Sequence, residues 1–267
     1  MGRGGIRIGE IFGITIRVDW SWLIILGLVT WNLTNVFGQS RPDWGPGLTW
    51  GLSIVAALLF FGAVLVHELA HSLVAKARGI PVEEITLFIF GGVSEIEEQP
   101  DSPGGEFLMA VLGPVASLVI GSILIVLAGV TGDPREAMRD PGATLSQLTP
   151  LTTLLLWLGA VNVILGVFNL IPGFPLDGGR VLRSILWGLS GSLEFATRVA
   201  SFVGVGIALA MIAGGGLMIF GVSIPFFGSG FVDGLWLVFI GWFLFSASSR
   251  HLRQGPRPQQ MGPGRPS

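Results

Sequence analysis

Residues 64–76 read VLVHELAHSLVAK, and they place two imidazoles and a carboxylate within five positions of an otherwise apolar run. On a helix, residues four apart share a face, so His67 and His71 can both reach one metal ion. Neutral imidazoles suit zinc, and a neighbouring carboxylate, Glu68, can take a proton from water. Two of the chain's three histidines lie here. An ionisable residue inside a membrane span costs about 2.5–3.5 kcal/mol on insertion scales, so three of them together demand a function. A bare H-E-x-x-H also arises by chance, and histidines that merely sit at a membrane interface are the bland alternative.

Catalytic zinc usually takes three protein ligands and keeps one position open. The chain has no cysteine, which excludes disulfides, thiolate zinc sites and iron–sulfur clusters. A third ligand must come from His, Asp or Glu. His251 lies among arginines at the exit of the last apolar run and reads as an interfacial histidine. Asp177 is the better candidate, in NLIPGFPLDGGR (Asn169–Arg180). Pro172, Gly173 and Pro175 break a helix there, and Gly178 and Gly179 allow close backbone approach. The alternative for Asp177 is a cap that restarts the helix before GGRVLRSIL.

The elements that must position these groups follow from composition. Of 267 residues, 51% are hydrophobic and 12% charged, about half the charge of a soluble domain. The expected fold class is an α-helical polytopic membrane protein with six transmembrane helices and a small membrane-associated β-sheet or hairpin. The spans are expected at about 20–37, 48–77, 107–130, 151–189 (broken near 172–178), 197–220 and 232–247. The run Gly214-Gly215-Gly216 is expected to bend or end the fifth. Residues 1–250 then form one membrane domain, and 251–267 a disordered cytoplasmic tail rich in Pro, Gly, Arg and Gln. The first span reads as an uncleaved anchor, since no A-x-A cleavage site follows it. No internal repeat is visible. The formal net charge of −2 argues against a nucleic-acid partner.

With the N-terminus in the cytoplasm, 12 of the 15 Lys and Arg fall on the cytoplasmic side, leaving Arg41, Arg135 and Arg139 outside. Both termini are then cytoplasmic. Leu48 to His67 amounts to about 28 Å of helix, which sets His67 just inside the cytoplasmic boundary of a core about 30 Å thick. The broken fourth span runs in the same direction as the second, so Asp177 arrives at similar depth. Residues 82–98, within PVEEITLFIFGGVSEIEEQP, read as a β-hairpin turning at Gly91-Gly92. The stretch 6–18, IRIGEIFGITIRV, reads as N-terminal strands that can neighbour this hairpin.

HELAH followed by N-x-x-P-x-x-P-L-D-G-G-R resembles the site-2 protease family of intramembrane zinc metalloproteases. So do FIFGGVSEIEEQP, LGPVAS (112–117) and ITIRVDWSWL (14–23). The resemblance covers nearly the whole chain. It implies that His67, His71 and Asp177 bind one zinc ion per chain, that Glu68 is the general base, and that Asn169 lies near the active site, supporting substrate or transition state. It implies substrates that are single-pass membrane proteins, cut within the bilayer of the cell membrane. The sequence resembles the six-helix branch, without PDZ or CBS domains. At Asp19 relatives often carry a histidine. Many arginines against one lysine point to a GC-rich prokaryotic source.

Two other readings compete. A membrane H-E-x-x-H peptidase of the prenyl-protein type would take a glutamate from a later helix, and Glu194 is expected to precede the fifth span. A transporter or an inactive substrate-binding homologue could use intramembrane carboxylates and imidazoles as an ion path. The complete His, Glu, His, Asp set argues against it.

Overall fold

The computed structural model describes residues 5–89, 91–96, 102–131, 148–224 and 228–254. Among these residues there are four strands, β1 (Gly5–Ile11), β2 (Ile14–Asp19), β3 (Val82–Phe88) and β4 (Gly91–Ile96). Seven helices accompany them: α1 (Trp20–Ser40), α2 (Pro46–Ala77), α3 (Pro103–Thr131), α4 (Pro150–Asn169), α5 (Asp177–Ser190), α6 (Leu193–Ile219) and α7 (Phe231–Gln254). All but α5 are long and apolar enough to cross a membrane, giving six candidate spans.

Two compact units emerge. The first gathers the described residues up to 96 together with Val111–Phe168; the second gathers 102–110 and those from Asn169 onward. In the first unit the sheet runs β1-β2-β3-β4, with β2 parallel to β3 and the outer pairs antiparallel. The N-terminal strands expected over 6–18 form a hairpin. Phe12 and Gly13 both have positive φ, 53° and 73°, the signature of a tight two-residue turn. Phe12 lacks the Asn or Asp side chain that usually announces such a turn, so the sequence hid it. Lys76 Nζ donates to Phe12 O at 2.8 Å, tying the turn to the end of α2.

The glycines at 91 and 92 are not the turn of the second hairpin. Phe88 pairs with Gly91 and Leu87 with Gly92, so both belong to β4. Residues 97 and 98 of the expected hairpin lie outside the described residues.

Asp19 caps α1: its Oδ1 accepts from the Ser21 amide at 2.9 Å. The Ser21 hydroxyl and amide beside it hold the carboxyl below the usual aspartate range. α1 packs on α2 through Trp22 against Phe61 and Trp31 against Trp50, both edge to face. Lipid offers no hydrophobic driving force between helices, so close packing rests on small residues. A Cβ at Gly121 of α3 would come within 2.7 Å of Gly159 O on α4.

In the second unit α6 and α7 meet the same way, a Cβ at Gly215 lying 2.6 Å from Gly234 O. The triple glycine does not end α6, which continues to Ile219; Gly215 contributes this close approach. α6 starts at Leu193 because Ser192 caps it, accepting from Phe195 N at 3.2 Å. Glu194 therefore sits in the first turn of α6, exposed and paired with Arg198 at 2.9 Å, and does not precede the helix as expected. The fourth span expected over 151–189 is two helices: α4, which is the candidate span, and, after 170–176, the shorter α5. α7 runs on through 251–254, which are expected in the tail from composition; residues 255–267 lie outside the described residues.

Candidate metal centre

In α2, His67 and His71 are both 4% exposed. Their spacing on one helix face turns the rings toward each other, with Nε2 of one 3.2 Å from Nε2 of the other and planes at 78°. A tetrahedral zinc with Zn–N near 2.0–2.1 Å would separate two ligand nitrogens by about 3.3 Å. The pair fits that edge. The space beside it is kept clear by Gly113 of α3: a Cβ there would overlap His71 Nε2 and lie 2.8 Å from His67 Nε2. Two convergent nitrogens and a cradle that a methyl group would fill suit a bound cation.

Glu68, half-buried, points toward β4. Ser94 Oγ donates to Glu68 Oε2 at 2.9 Å. A Cβ at Gly92 would overlap Glu68 Cγ and lie 3.1 Å from its Cδ. Gly92 and Ser94, two apart on a strand, share the face that meets Glu68. The glycine is needed for close approach, which explains why it does not serve the turn. On the other side, His67 Nδ1 lies 2.9 Å from Ser117 Oγ of α3. Ser94, Gly113 and Ser117 lie within FIFGGVSEIEEQP and LGPVAS, but their residue types alone assign them no role. A serine and a Gly-Pro step in otherwise apolar helix were the available signal.

In the second unit, Asp177 is the first residue of α5, where a carboxylate is favoured by the helix dipole. The cap position itself is Leu176, with no side-chain cap hydrogen bond, so Asp177 is not the cap. Asn169 ends α4. The loop between them is clamped by its own unit. Gly173 N donates to Ile171 O and Leu176 N to Gly173 O. Ser248 Oγ of α7 donates to Phe174 O. A Cβ at Gly204 of α6 would overlap Phe174 O and lie 2.9 Å from Phe174 N. The Gly178 and Gly179 positions would bring Cβ atoms into the loop backbone. His251 is in the last turn of α7, and its side chain lies outside the described residues.

Arg183, on α5, donates from both Nε and Nη2 to Oε1 of the fully buried Glu106 of α3. Its guanidinium also sits 5.1 Å from the Phe174 ring centroid. Arg183→Ala would leave a buried carboxylate without its counter-ion and is expected to destabilise the protein by about 3–5 kcal/mol. A lower thermal unfolding midpoint in detergent checks this, and an unchanged midpoint contradicts it.

These features, a polytopic apolar helix set and a buried histidine pair beside a glutamate, define a class of membrane protein built to hold a metal. The chain belongs to peptidase family M50, the site-2 protease family, whose pattern matches residues 55–135 and 136–213. It is 38% identical over 259 residues to the "Putative zinc metalloprotease sll0528" of Synechocystis, covering 96% of this chain and 62% of that protein. It is 37% identical over 250 residues to the "Putative zinc metalloprotease Rip3" of Mycobacterium tuberculosis, covering 92% and 58%. The chain thus spans about six-tenths of the length of these curated relatives. The solved structure of the Site-2 Protease from Methanocaldococcus jannaschii matches with a TM-score of 0.56 at 27% identity, covering 92% of this chain and 94% of that one.

Proposed function

We propose that the protein is an intramembrane zinc metalloendopeptidase that cleaves transmembrane segments of single-pass membrane proteins. The observation that carries this is the convergence of two buried Nε2 atoms at 3.2 Å on a candidate span, with a carboxylate on the adjacent residue. Family membership and the names of its relatives agree with it. In this reading His67, His71 and Asp177 hold one zinc ion per chain, and the protein resides in a prokaryotic cell membrane with both termini cytoplasmic. The distribution of arginines supports that orientation, and the bacterial relatives support the source.

Bound zinc supplies Lewis acidity, polarising the scissile carbonyl and lowering the pKa of water toward about 7. Glu68 takes the proton of the attacking water on its carboxylate and hands it to the leaving amine. Ser94 orients that carboxylate through its hydroxyl. Asn169 supports the substrate carbonyl. A substrate helix hides its carbonyls in i→i−4 bonds and must unwind first. β4 ends the sheet among the described residues, so it can pair with the unwound segment as an added strand.

Metal analysis of the purified protein tests the reading, with one zinc per chain expected. A metal-free protein from chelator-free buffer would favour the transporter or inactive readings. Asp177→Ala is expected to lower zinc affinity by at least about 10-fold, as loss of a ligand should exceed the 10–100-fold typical of outer-shell changes at its low end. Unchanged affinity in a chelator competition would remove Asp177 from the ligand set.

A further inference from the structure

The geometry points to Ser117 as a positioning residue that selects the tautomer of His67 in which Nε2 is open to a metal. The inference rests on the zinc reading above. His67 and Ser117 are 4% and 0% exposed, and Nδ1 and Oγ are 2.9 Å apart, so water does not compete for either atom. The partner of one imidazole nitrogen decides which nitrogen carries the proton. His67 turns Nε2 toward Nε2 of His71. A lone pair is therefore required on Nε2 and the proton on Nδ1, where the Ser117 oxygen accepts it.

A hydroxyl oxygen carries two lone pairs beside its O–H, so Ser117 Oγ, 2.9 Å from Nδ1, can accept the imidazole proton. Were it to donate to Nδ1 instead, the proton would move to Nε2 and close the coordinating lone pair. Gly113 and Ser117 are four apart, so one face of α3 presents both. The glycine clears the Nε2 side of the rings, and the serine holds the Nδ1 side. Outer-shell acceptors of this kind fix ring orientation and raise ligand basicity.

Chelator competition on the zinc-loaded full chain, with Ser117→Ala and Ser117→Thr beside wild type, reads the effect. Ser117→Ala is expected to weaken zinc binding about 10–100-fold, while Ser117→Thr, which keeps the hydroxyl, stays near wild type. Nitrogen-15 spectra of histidine-labelled, zinc-loaded protein give a readout that packing alone would not move. The chain has only three histidines to assign. Wild type is expected to show His67 protonated at Nδ1, with a hydrogen-bonded shift that is lost in Ser117→Ala. Wild-type zinc affinity in Ser117→Ala, or an Nδ1 signal identical in the two proteins, overturns the inference. A wild-type protein that binds no zinc overturns the underlying zinc reading instead, so the two failures are distinguishable.

Discussion

Glu68→Gln is expected to slow cleavage of a membrane-helix substrate by about 10²–10⁴-fold, the usual contribution of a positioned general base, and to leave the zinc content unchanged. Glutamine matches glutamate in shape. Its amide oxygen can still accept from Ser94 Oγ, which lies 2.9 Å from Glu68 Oε2, so the side chain is expected to stay against β4. What it loses is the ability to take a proton. The imidazoles on either side keep their nitrogens and their spacing of 3.2 Å, so the metal should stay. Cleavage in liposomes and metal analysis on the same preparation separate the possibilities. Wild-type turnover would remove Glu68 as the base, and lost zinc would make it a ligand.

Gly113→Ala is expected to strip or displace the metal while leaving the helix intact. On helix propensity alone the change is favourable by about 1 kcal/mol. At the site it is not. The new Cβ would overlap His71 Nε2 and lie 2.8 Å from His67 Nε2, and a buried ring has little room to retreat. Moving catalytic groups by about 1 Å can cost about 10²-fold in rate. The two effects have opposite signs, so circular dichroism should show undiminished helix while zinc stoichiometry and activity fall. Full zinc occupancy in the variant would show that the rings step aside freely.

Much of the architecture was legible because it depends on local, additive properties. Hydropathy summed over about 20 residues marks a span wherever it falls, and six such helices are present among the described residues. Boundaries were read less well, because they depend on single hydrogen bonds. Ser192 starts α6 four residues before the apolar count did, through its bond to Phe195 N. The strands over 6–18 are legible, but the position of their turn is not, because Phe12 occupies a left-handed position, φ 53°, that its residue type does not advertise. Gly91 and Gly92 suggest a turn because glycine usually signals backbone freedom. At Gly92 the requirement is space for Glu68, which no local pattern reveals. Glu106 is the other kind of omission: an ordinary glutamate near a helix start, it becomes the buried partner of Arg183, 77 residues away.

By itself the sequence determined that His67 and His71 share a face of an apolar helix with Glu68 between them, because a four-residue spacing and a 3.6-residue period belong to one element. It determined the break that leads into Asp177, because proline and glycine act on the backbone where they stand. Only the tertiary structure decided what surrounds the histidine pair. Ser94 reaches Glu68 across 26 positions and Ser117 reaches His67 across 50. Gly113 clears the space beside both rings. Such contacts are set by how strands and helices pack, and packing at these separations has no period that a single chain displays.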